Sequence, residues 1–347
     1  MMIEKLGDLI IAGFRGAKIN NSTKIQHWIN EYGLSGVILY DIDLELNKPG
    51  TRNIKSEKQL RELISSLKNK STNSLLIAID QEGGQVNRLK SEYGFPKFIS
   101  WKDVGLEDSF HFTKSYSKRL ANVLYDLGIN LNFAPVLDID GGKSSFIGNQ
   151  KRALSSDYNK IISHSIIFIN ELRKKGIMCC GKHFPGQGSA NGDTHEGVVD
   201  TTKTWNKFEL EPYRQLINNQ ELDSIIVAHT YNKNIDDRLP ASMSKKTVSG
   251  LLRDQLGFDG LIICDDPSMK AISSKYDLKT CLKQMLEAGI DMFILGNNIK
   301  YDDELIPSAI KCLKELLSNN EIGEQRIDDS LRKINTFRLK QKKIFES

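Results

Sequence analysis

The chain has 347 residues, of which 39% are hydrophobic and 27% are charged, a composition typical of an ordinary soluble globular protein. The net charge is only +4, and basic residues do not group beside aromatic clusters, so nucleic acid is not an expected partner. The sequence contains neither a span-length apolar stretch nor a secretory h-region, so no membrane contact is expected. The five cysteines lack metal-binding spacings, which favours a reducing, cytoplasmic location and no bound metal.

Eight short apolar runs recur along the chain, most of them rich in Ile, Leu and Val. They lack a clean alternation of apolar and polar residues, which is typical of parallel strands buried on both faces. In chain order the predicted strands are residues 9–12, 36–40, 75–79, 130–134, 177–181, 224–228, 260–264 and 291–295.

Amphipathic helical patterns lie between these runs. The predicted helices are residues 56–67, 110–127, 158–175, 244–256, 278–288 and 305–317. Eight strands alternating with helices favour an α/β fold of the single (β/α)8 barrel type over an open doubly wound sheet. Since no linker or low-complexity stretch divides the chain, we predict one domain over residues 1–347, with a last helix at about 327–343 packed outside the barrel.

A glycine-rich stretch, residues 181–195, follows the fifth predicted strand. Its glycines predict a loop, with Lys182 and His183 at the point where the strand ends. In an extended segment, Asp193 and His195 point to the same side. Asp193 can therefore hold one ring nitrogen of His195 and leave the other to transfer a proton. Taken alone, such a pair in a polar loop is more often a solvated turn, so a catalytic role depends on the rest of the chain.

Polar residues follow the predicted strands at one end of the barrel, where barrel enzymes carry out their chemistry. Asp265 comes directly after the run 261–264, and a carboxylate there is a nucleophile, a metal ligand or a helix cap. Asp266 precedes Pro267 and is better explained as the cap of a helix that starts at this proline. We therefore expect Asp265 to point into the barrel mouth. The other strand-end polar residues include Asp80, Arg88, Asp138, Asp140, Lys182, His183, His229, Asn297 and Asn298.

These motifs together resemble glycoside hydrolase family 3, and specifically its β-N-acetylhexosaminidases, over nearly the whole chain. The matching segments are Asp80-Gln81-Glu82-Gly83-Gly84, Lys182-His183-Phe184-Pro185-Gly186 with Asp193-Thr194-His195 at the family's spacing, Val227-Ala228-His229, and residues 257–269. The resemblance implies that Asp265 is the nucleophile, His195 the acid/base and Asp193 its partner. It implies sugar contacts from the side chains of Asp80, Arg88, Arg152, Lys182 and His183. His229 is added to this set because it lies in the matching segment Val227-Ala228-His229. The resemblance implies no cofactor or metal.

The expected activity is that of a retaining exo-β-N-acetylglucosaminidase acting on a small carbohydrate, in muropeptide recycling or chito-oligosaccharide turnover. Four positions depart from the family pattern: Gln187 replaces a usual His, Gln85 a common Arg, Cys264 a Ser and Pro267 a Leu.

Four alternatives remain at this point. Two are a β-glucosidase and a β-glycoside phosphorylase of the same family; an imidazole acid/base repels an incoming phosphate less than a carboxylate does. A third is an inactive sugar-binding protein, which would keep its affinity without turnover. The fourth is a metal site formed by His183, Asp193 and His195, which the resemblance does not support.

Overall fold

Eight parallel strands close into a barrel in the computed structural model, which describes residues 3–20, 23–69, 71 and 74–346. The strands are β1 Ile10–Gly13, β2 Gly36–Leu39, β3 Leu76–Ile79, β4 Leu131–Asn132, β5 Met178–Phe184, β6 Ser224–Val227, β7 Leu261–Cys264 and β8 Met292–Leu295. Because β1 pairs with both β2 and β8, every strand has two neighbours. The predicted (β/α)8 barrel is confirmed, and each predicted run overlaps a strand.

The strand residues are buried on both faces, which explains why their sequences do not alternate. One face packs inside the barrel and the other against the surrounding helices. Closure brings the ends of β1 and β8 into very close contact, since a Cβ atom added to Gly13 would lie 1.7 Å from the carbonyl oxygen of Gly296. Only glycine fits at this point of the barrel wall.

Helices surround the barrel, and several begin or end where the apolar periodicity predicts. They are α1 Lys24–Tyr32, α2 Glu57–Asn69, α3 Trp101–Glu107, α4 Phe110–Leu127, α5 Phe146–Asn149, α6 Tyr158–Arg173, α7 Glu211–Asn218, α8 Lys270–Ser273, α9 Leu278–Ala288, α10 Leu305–Ser318 and α11 Glu324–Glu346. The helix predicted at 244–256 has π geometry over Lys246–Gln255. Across the described ranges, none of the helices is both long and apolar enough to cross a bilayer.

Helix α11 lies across the N-terminal ends of the strands, the end opposite the polar strand-end residues. Its Arg338 Nη1 pairs with Asp8 Oδ1 at 2.8 Å, just before β1. Its Gln341 Nε2 donates to the carbonyl oxygen of Asn130, just before β4, at 3.1 Å.

Strand β5 extends three residues beyond its predicted end, so the expectation that a loop starts after Gly181 was wrong. Gly181 pairs with Ile225 of β6 and Phe184 with Val227, so the register shifts by one residue between these points. On the other edge, the backbone of Lys182 bonds to Pro135 and Leu137 at 3.2 and 2.7 Å. Pairing on both edges overrides the weak strand preference of a glycine-rich sequence, and such bulges commonly redirect side chains beside active sites.

Candidate active site

A pocket of about 790 Å³, counted out to its open mouth, lies at the C-terminal ends of the strands, where barrel enzymes place their active sites. Six of the nine predicted site residues line it: Asp80, Arg88, Lys182, His183, His195 and Asp265. The remaining three, Asp193, Arg152 and His229, contact these residues or their loops from outside the lining. The apolar part of the wall consists of Ile38, Tyr40, Ile42, Leu44, Ile226, Met269, Ile294 and Ile299.

A network of two carboxylates and two cations lies at one side of the pocket. Lys182 Nζ lies 2.7 Å from Asp80 Oδ1 and 2.6 Å from Glu82 Oε1. Arg152 donates to both oxygens of Glu82 at 2.9 Å, the bidentate geometry that guanidinium and carboxylate groups favour. Burial opposes the charge of Glu82, but Arg152 and Lys182 outweigh it and hold the pKa of this carboxyl well below its usual range. Burial likewise opposes the charge of Lys182, yet Asp80 and Glu82 raise its pKa.

His183 is fixed in one tautomer by partners on both ring nitrogens. Arg152 Nη2 lies 3.1 Å from Nε2; a guanidinium can only donate, so Nε2 accepts and the ring proton sits on Nδ1. Nδ1 then donates to Asp138 Oδ2 at 2.6 Å. The second oxygen of Asp138 accepts from the backbone N–H of Gln187 at 2.7 Å. Asp138, which follows β4, therefore orients both the imidazole and the start of the next loop.

Arg88 is held at the pocket wall by an aromatic ring and a buried carboxylate. Its guanidinium carbon lies 5.6 Å from the centre of the Tyr40 ring, and Nη1 lies 3.7 Å from Asp41 Oδ1. Lys90 Nζ pairs with the other oxygen of Asp41 at 2.6 Å. These contacts place a cation beside the pocket, where it can bind a sugar hydroxyl.

Asp265 is the carboxylate at the end of β7. Its backbone N–H donates to the carbonyl oxygen of Val227 at 3.2 Å, which continues the pairing of β6 and β7. Its Oδ1 accepts from the backbone N–H of Asp266 at 3.0 Å. Burial opposes ionisation, but the pKa of Asp265 is lowered, and the cationic neighbours that favour its charged form are His195 and Lys182. The structure therefore has an ionised carboxylate at the site predicted for the nucleophile.

Asp266 stabilises the turn after Asp265. Its oxygens accept from the backbone N–H groups of Ser268 and Gly296, both at 2.9 Å, and burial raises its pKa to about 6. The expected helix at Pro267 is absent from this described segment, because the chain turns first and α8 starts at Lys270. Asp266 is therefore a turn residue and not a helix cap.

His229 lies beneath this turn and is fully buried. Ser242 Oγ lies 2.7 Å from Nδ1, and Nε2 donates to the carbonyl oxygen of Asp266 at 3.0 Å. Burial lowers the pKa of the imidazole, which favours its neutral form. Both ring nitrogens are thus engaged by the protein, so the geometry contradicts the expected sugar contact and gives His229 a supporting position.

Asp193 and His195 form the hydrogen-bonded pair that their spacing predicts. Asp193 Oδ1 accepts from the backbone N–H of His195 at 2.9 Å and from its Nδ1 at 2.7 Å. The imidazole is 52% exposed at the pocket mouth. Partial removal from water would lower its pKa, but Asp193 and Asp265 outweigh that and raise the pKa of His195. Nε2 is then the ring nitrogen available to give and take a proton.

Comparison with known proteins identifies the family. The model of the glycosyl hydrolase family 3 N-terminal domain matches residues 1–337. The chain belongs to glycosyl hydrolase family 3. Among relatives of this family 3 hydrolase, a β-hexosaminidase of Haemophilus influenzae is 33% identical over 252 residues, 71% of each chain. A β-hexosaminidase of Nitrosomonas eutropha is 32% identical over 312 residues, 87% of this chain and 84% of the relative.

A solved structure also resembles this family 3 hydrolase over nearly the whole of the present chain. It is a glycoside hydrolase family 3 β-N-acetylglucosaminidase from Paenibacillus sp. str. FPU-7, with a TM-score of 0.88 and 27% sequence identity over 99% of this chain. The chain spans 63% of the length of that protein. These matches confirm the family resemblance, and the protein is a glycoside hydrolase.

The structure of the family 3 hydrolase adds Glu82 and Asp138 to the site. In the sequence, only their positions indicated that these two residues belong to the site. Glu82 lies within the motif of residues 80–84, and Asp138 follows β4. In the described part of the chain, no three or more His, Cys, Asp and Glu side chains form a metal-binding group. The alternative metal site is not supported, because His183 pairs with Asp138 and Arg152 instead of the Asp193–His195 pair.

Proposed function

We propose that this family 3 hydrolase is a retaining exo-β-N-acetylglucosaminidase with Asp265 as nucleophile and His195 as acid/base. The observation that supports this most directly is an ionised strand-end carboxylate sharing one pocket with an imidazole held by Asp193. The names of the relatives, β-hexosaminidase and β-N-acetylglucosaminidase, support the substrate class.

In the first step, a carboxylate oxygen of Asp265 attacks the anomeric carbon and the glycosidic C–O bond breaks. The departing oxygen takes the proton of the His195 imidazolium. The raised pKa of His195 favours the protonated ring, and the Asp193 anion stabilises its charge and fixes its tautomer. An unperturbed imidazole titrates near pH 6.5, so it suits proton transfer without the strong burial that a carboxylic acid would need.

In the second step, His195 takes a proton from water, and the water oxygen attacks the anomeric carbon. The bond to Asp265 breaks and the carboxylate is released. Two displacements at the same carbon retain its configuration. The exposed position of His195 at the mouth suits both the departure of the aglycone and the entry of water.

The polar side of the pocket is proposed to bind the terminal sugar. Asp80 accepts hydrogen bonds from hydroxyl groups, while Lys182 and Arg88 donate to them, which holds the anomeric carbon against Asp265. His183 lines the same side. Arg152 is proposed to contact the sugar as well, and it holds Glu82 and His183 in place on this side of the pocket.

The natural substrate is proposed to be a small glycan ending in β-linked N-acetylglucosamine, from peptidoglycan fragments or chito-oligosaccharides. A cytoplasmic site of action is part of the proposal. It is supported by five free cysteines, which is the usual state in a reducing compartment.

A panel of 4-nitrophenyl β-glycosides tests the substrate class. We expect kcat/KM to be highest for the N-acetylglucosaminide, above the glucoside, galactoside and xyloside. A preference for the glucoside would instead support the β-glucosidase alternative.

Product analysis with and without inorganic phosphate tests the reaction. We expect free N-acetylglucosamine under both conditions. A sugar 1-phosphate would establish the phosphorylase alternative, which is favoured only by the presence of an imidazole in place of an anionic acid/base.

A further inference from the structure

We infer that Glu209 is a positioning residue for the acid/base loop, the segment that carries Asp193 and His195. It holds the root of this loop, which is residues 186–189. The inference rests on the proposed role of His195. Glu209 lies in the 3-10 turn Lys207–Leu210 that precedes α7, outside the pocket lining and outside every motif that matched the family.

The carboxylate of Glu209 is buried, with 5% of the residue exposed, and faces the loop root. Its Oε2 accepts from the backbone N–H of Gly188 at 3.0 Å. Its Oε1 accepts from the hydroxyl of Ser189 at 2.6 Å. Both donors lie in the first turn after β5, four to seven residues before the Asp193–His195 pair. A shift of this root would therefore move the imidazole.

The loop root packs so tightly against Glu209 that the chain uses glycine there. Gly186 has a φ of +114°, and an added Cβ would lie 2.5 Å from the Cβ of Glu209. A Cβ on Gly188 would lie 1.9 Å from the carbonyl oxygen of Ile139 on the other side. The root is thus packed between Glu209 and the segment after β4. This packing fixes the positions of the groups that donate to the carboxylate.

Other contacts also hold the loop, and two of them join backbone atoms beyond its root. Phe146 N–H donates to the carbonyl oxygen of Ala190 at 2.8 Å, and Ala271 N–H donates to that of Thr194 at 3.1 Å. The second contact ties the loop to the segment after Asp265. A single side-chain substitution removes neither of them. At the root, Asp138 accepts from the backbone N–H of Gln187 and Trp205 Nε1 donates to the carbonyl oxygen of Pro185. Asp138 also holds the His183 imidazole, so its substitution would disturb the pocket wall directly. Glu209 makes two bonds to the root without touching the pocket, so its effect on His195 can be tested by mutation.

Burial raises the pKa of Glu209 to about 7, and the nearby Asp138 adds to this effect. The protein therefore keeps a carboxyl group where its charge is disfavoured, and hydrogen bonds from Ser189, Asn206 and Gly188 lower that cost. The bond from the Asn206 N–H, at 3.4 Å, caps the 3-10 turn of Glu209, whereas the other two reach the loop root. An apolar side chain would fill the same space but could not hold the loop root. This supports a positioning role beyond simple packing.

Leaving-group chemistry separates positioning of His195 from general damage. A misplaced acid slows the cleavage of a disaccharide, whose alkoxide leaves poorly, but hardly affects an activated aryl glycoside. Because kcat/KM reports steps up to the first irreversible one, it isolates glycosylation for both substrates. We expect Glu209→Ala to lower kcat/KM for a β-linked N-acetylglucosamine disaccharide by about 10- to 100-fold, since small misplacements of reacting groups cost that much. For the 2,4-dinitrophenyl glycoside we expect a change within about 3-fold, because this phenolate leaves without protonation.

Glu209→Gln serves as the conservative rescue. Its amide oxygen can accept from Gly188 N–H while its NH2 donates to Ser189 Oγ, so we expect most of the disaccharide activity to return. Glu211→Ala is the matched control on the same segment, since Glu211 is partly exposed and pairs with Arg214, at 3.2 Å, within α7 and away from the loop root. We expect this variant to leave both substrates unchanged.

His195→Ala, run in parallel, keeps the two proposals distinguishable. If His195→Ala shows the leaving-group split and Glu209→Ala does not, the inference about Glu209 is wrong while the acid/base assignment stands. If His195→Ala shows no split, the proposed function of His195 is wrong. Equal losses on both substrates in Glu209→Ala would also overturn the positioning role.

Thermal denaturation shows whether Glu209→Ala folds. If it does not, Ser189→Ala carries the test, because it removes one of the two bonds from the loop root to Glu209 and leaves the carboxylate in place. We then expect a smaller, few-fold loss confined to the disaccharide. An equal loss on both substrates, or no loss on either, would overturn the inference.

Discussion

Replacing Glu82 with Gln removes the anion that neutralises two buried cations beside the pocket. Glu82 is 4% exposed and accepts two hydrogen bonds of 2.9 Å from Arg152, with Lys182 Nζ at 2.6 Å. After the substitution, both cations stay buried without their shared partner. We therefore expect the folded state to lose stability and the sugar-binding groups to lose their fixed positions.

Removing one partner of a buried ion pair costs about 3–5 kcal/mol. Gln keeps one acceptor oxygen, so the lower end, about 3 kcal/mol, is expected. The unfolding entropy of a globular protein, about 2.1 cal/mol/K per residue, gives roughly 0.7 kcal/mol/K for a chain of this length. The expected fall in Tm is therefore about 4 °C. We also expect a higher KM for the aryl N-acetylglucosaminide, because Lys182 is no longer held between two carboxylates.

Glu57→Gln is the matched control, since it makes the same chemical change in an exposed pair. Glu57 and Arg61 lie 2.7 Å apart on α2 with 46% and 42% of their side chains exposed. Exposed pairs at this spacing contribute about 0.3–0.5 kcal/mol, so the expected shift in Tm is below about 1 °C. Thermal denaturation followed by circular dichroism measures both variants. Equal shifts in the two would refute the reasoning that burial makes the Glu82 network stabilising.

Three other predictions concern catalysis and substrate binding. His195→Ala and Asp193→Asn should each slow disaccharide cleavage, and the double variant should be no slower than His195→Ala alone, because the pair acts as one unit; multiplied losses would show separate roles. The profile of kcat/KM against pH should fall on the acid side below the ordinary pKa of 3.8, as Asp265 protonates, and on the alkaline side above 6.5, as His195 deprotonates. In Asp193→Asn the alkaline limb should move to lower pH, since the anion that raises the pKa of His195 is gone, and an unmoved limb would argue against this pairing. Leu44→Asp should raise KM for aryl glycosides about 5-fold through lost apolar contact at the mouth, whereas Leu46→Asp, equally exposed at 50% but outside the pocket lining, should not.

The barrel could be predicted from sequence because each buried parallel strand leaves a local signal, a short apolar run. The end of β5 could not, because its glycines indicate a loop while pairing on both edges makes residues 182–184 part of the strand. The helix expected to start at Pro267 starts later, at Lys270, for a related reason. Asp266 accepts a hydrogen bond from Gly296 in another loop, and this contact stabilises a turn before the helix. In both cases a contact distant in sequence overrides a local preference.

The residues that meet in the candidate pocket were predictable from motifs, but their proposed roles depend on contacts between different loops. Glu82 and Asp138 gain their importance from partners 70 and 45 residues away. His229 was expected to touch sugar, yet its partners Ser242 and Asp266 occupy both ring nitrogens. Such pairings have no signature in a single sequence, because spacing along the chain does not encode which loops meet above a barrel.

Trapping the covalent intermediate tests the central claim most directly. A fluorinated N-acetylglucosamine substrate whose glycosyl-enzyme turns over slowly would be incubated with the protein, which is then digested and analysed by mass spectrometry. We predict one added sugar residue on Asp265, and neither an adduct nor measurable turnover in Asp265→Asn, because the covalent route is lost. A label on Asp266, or full turnover without any adduct on Asp265, would contradict the assignment of the nucleophile.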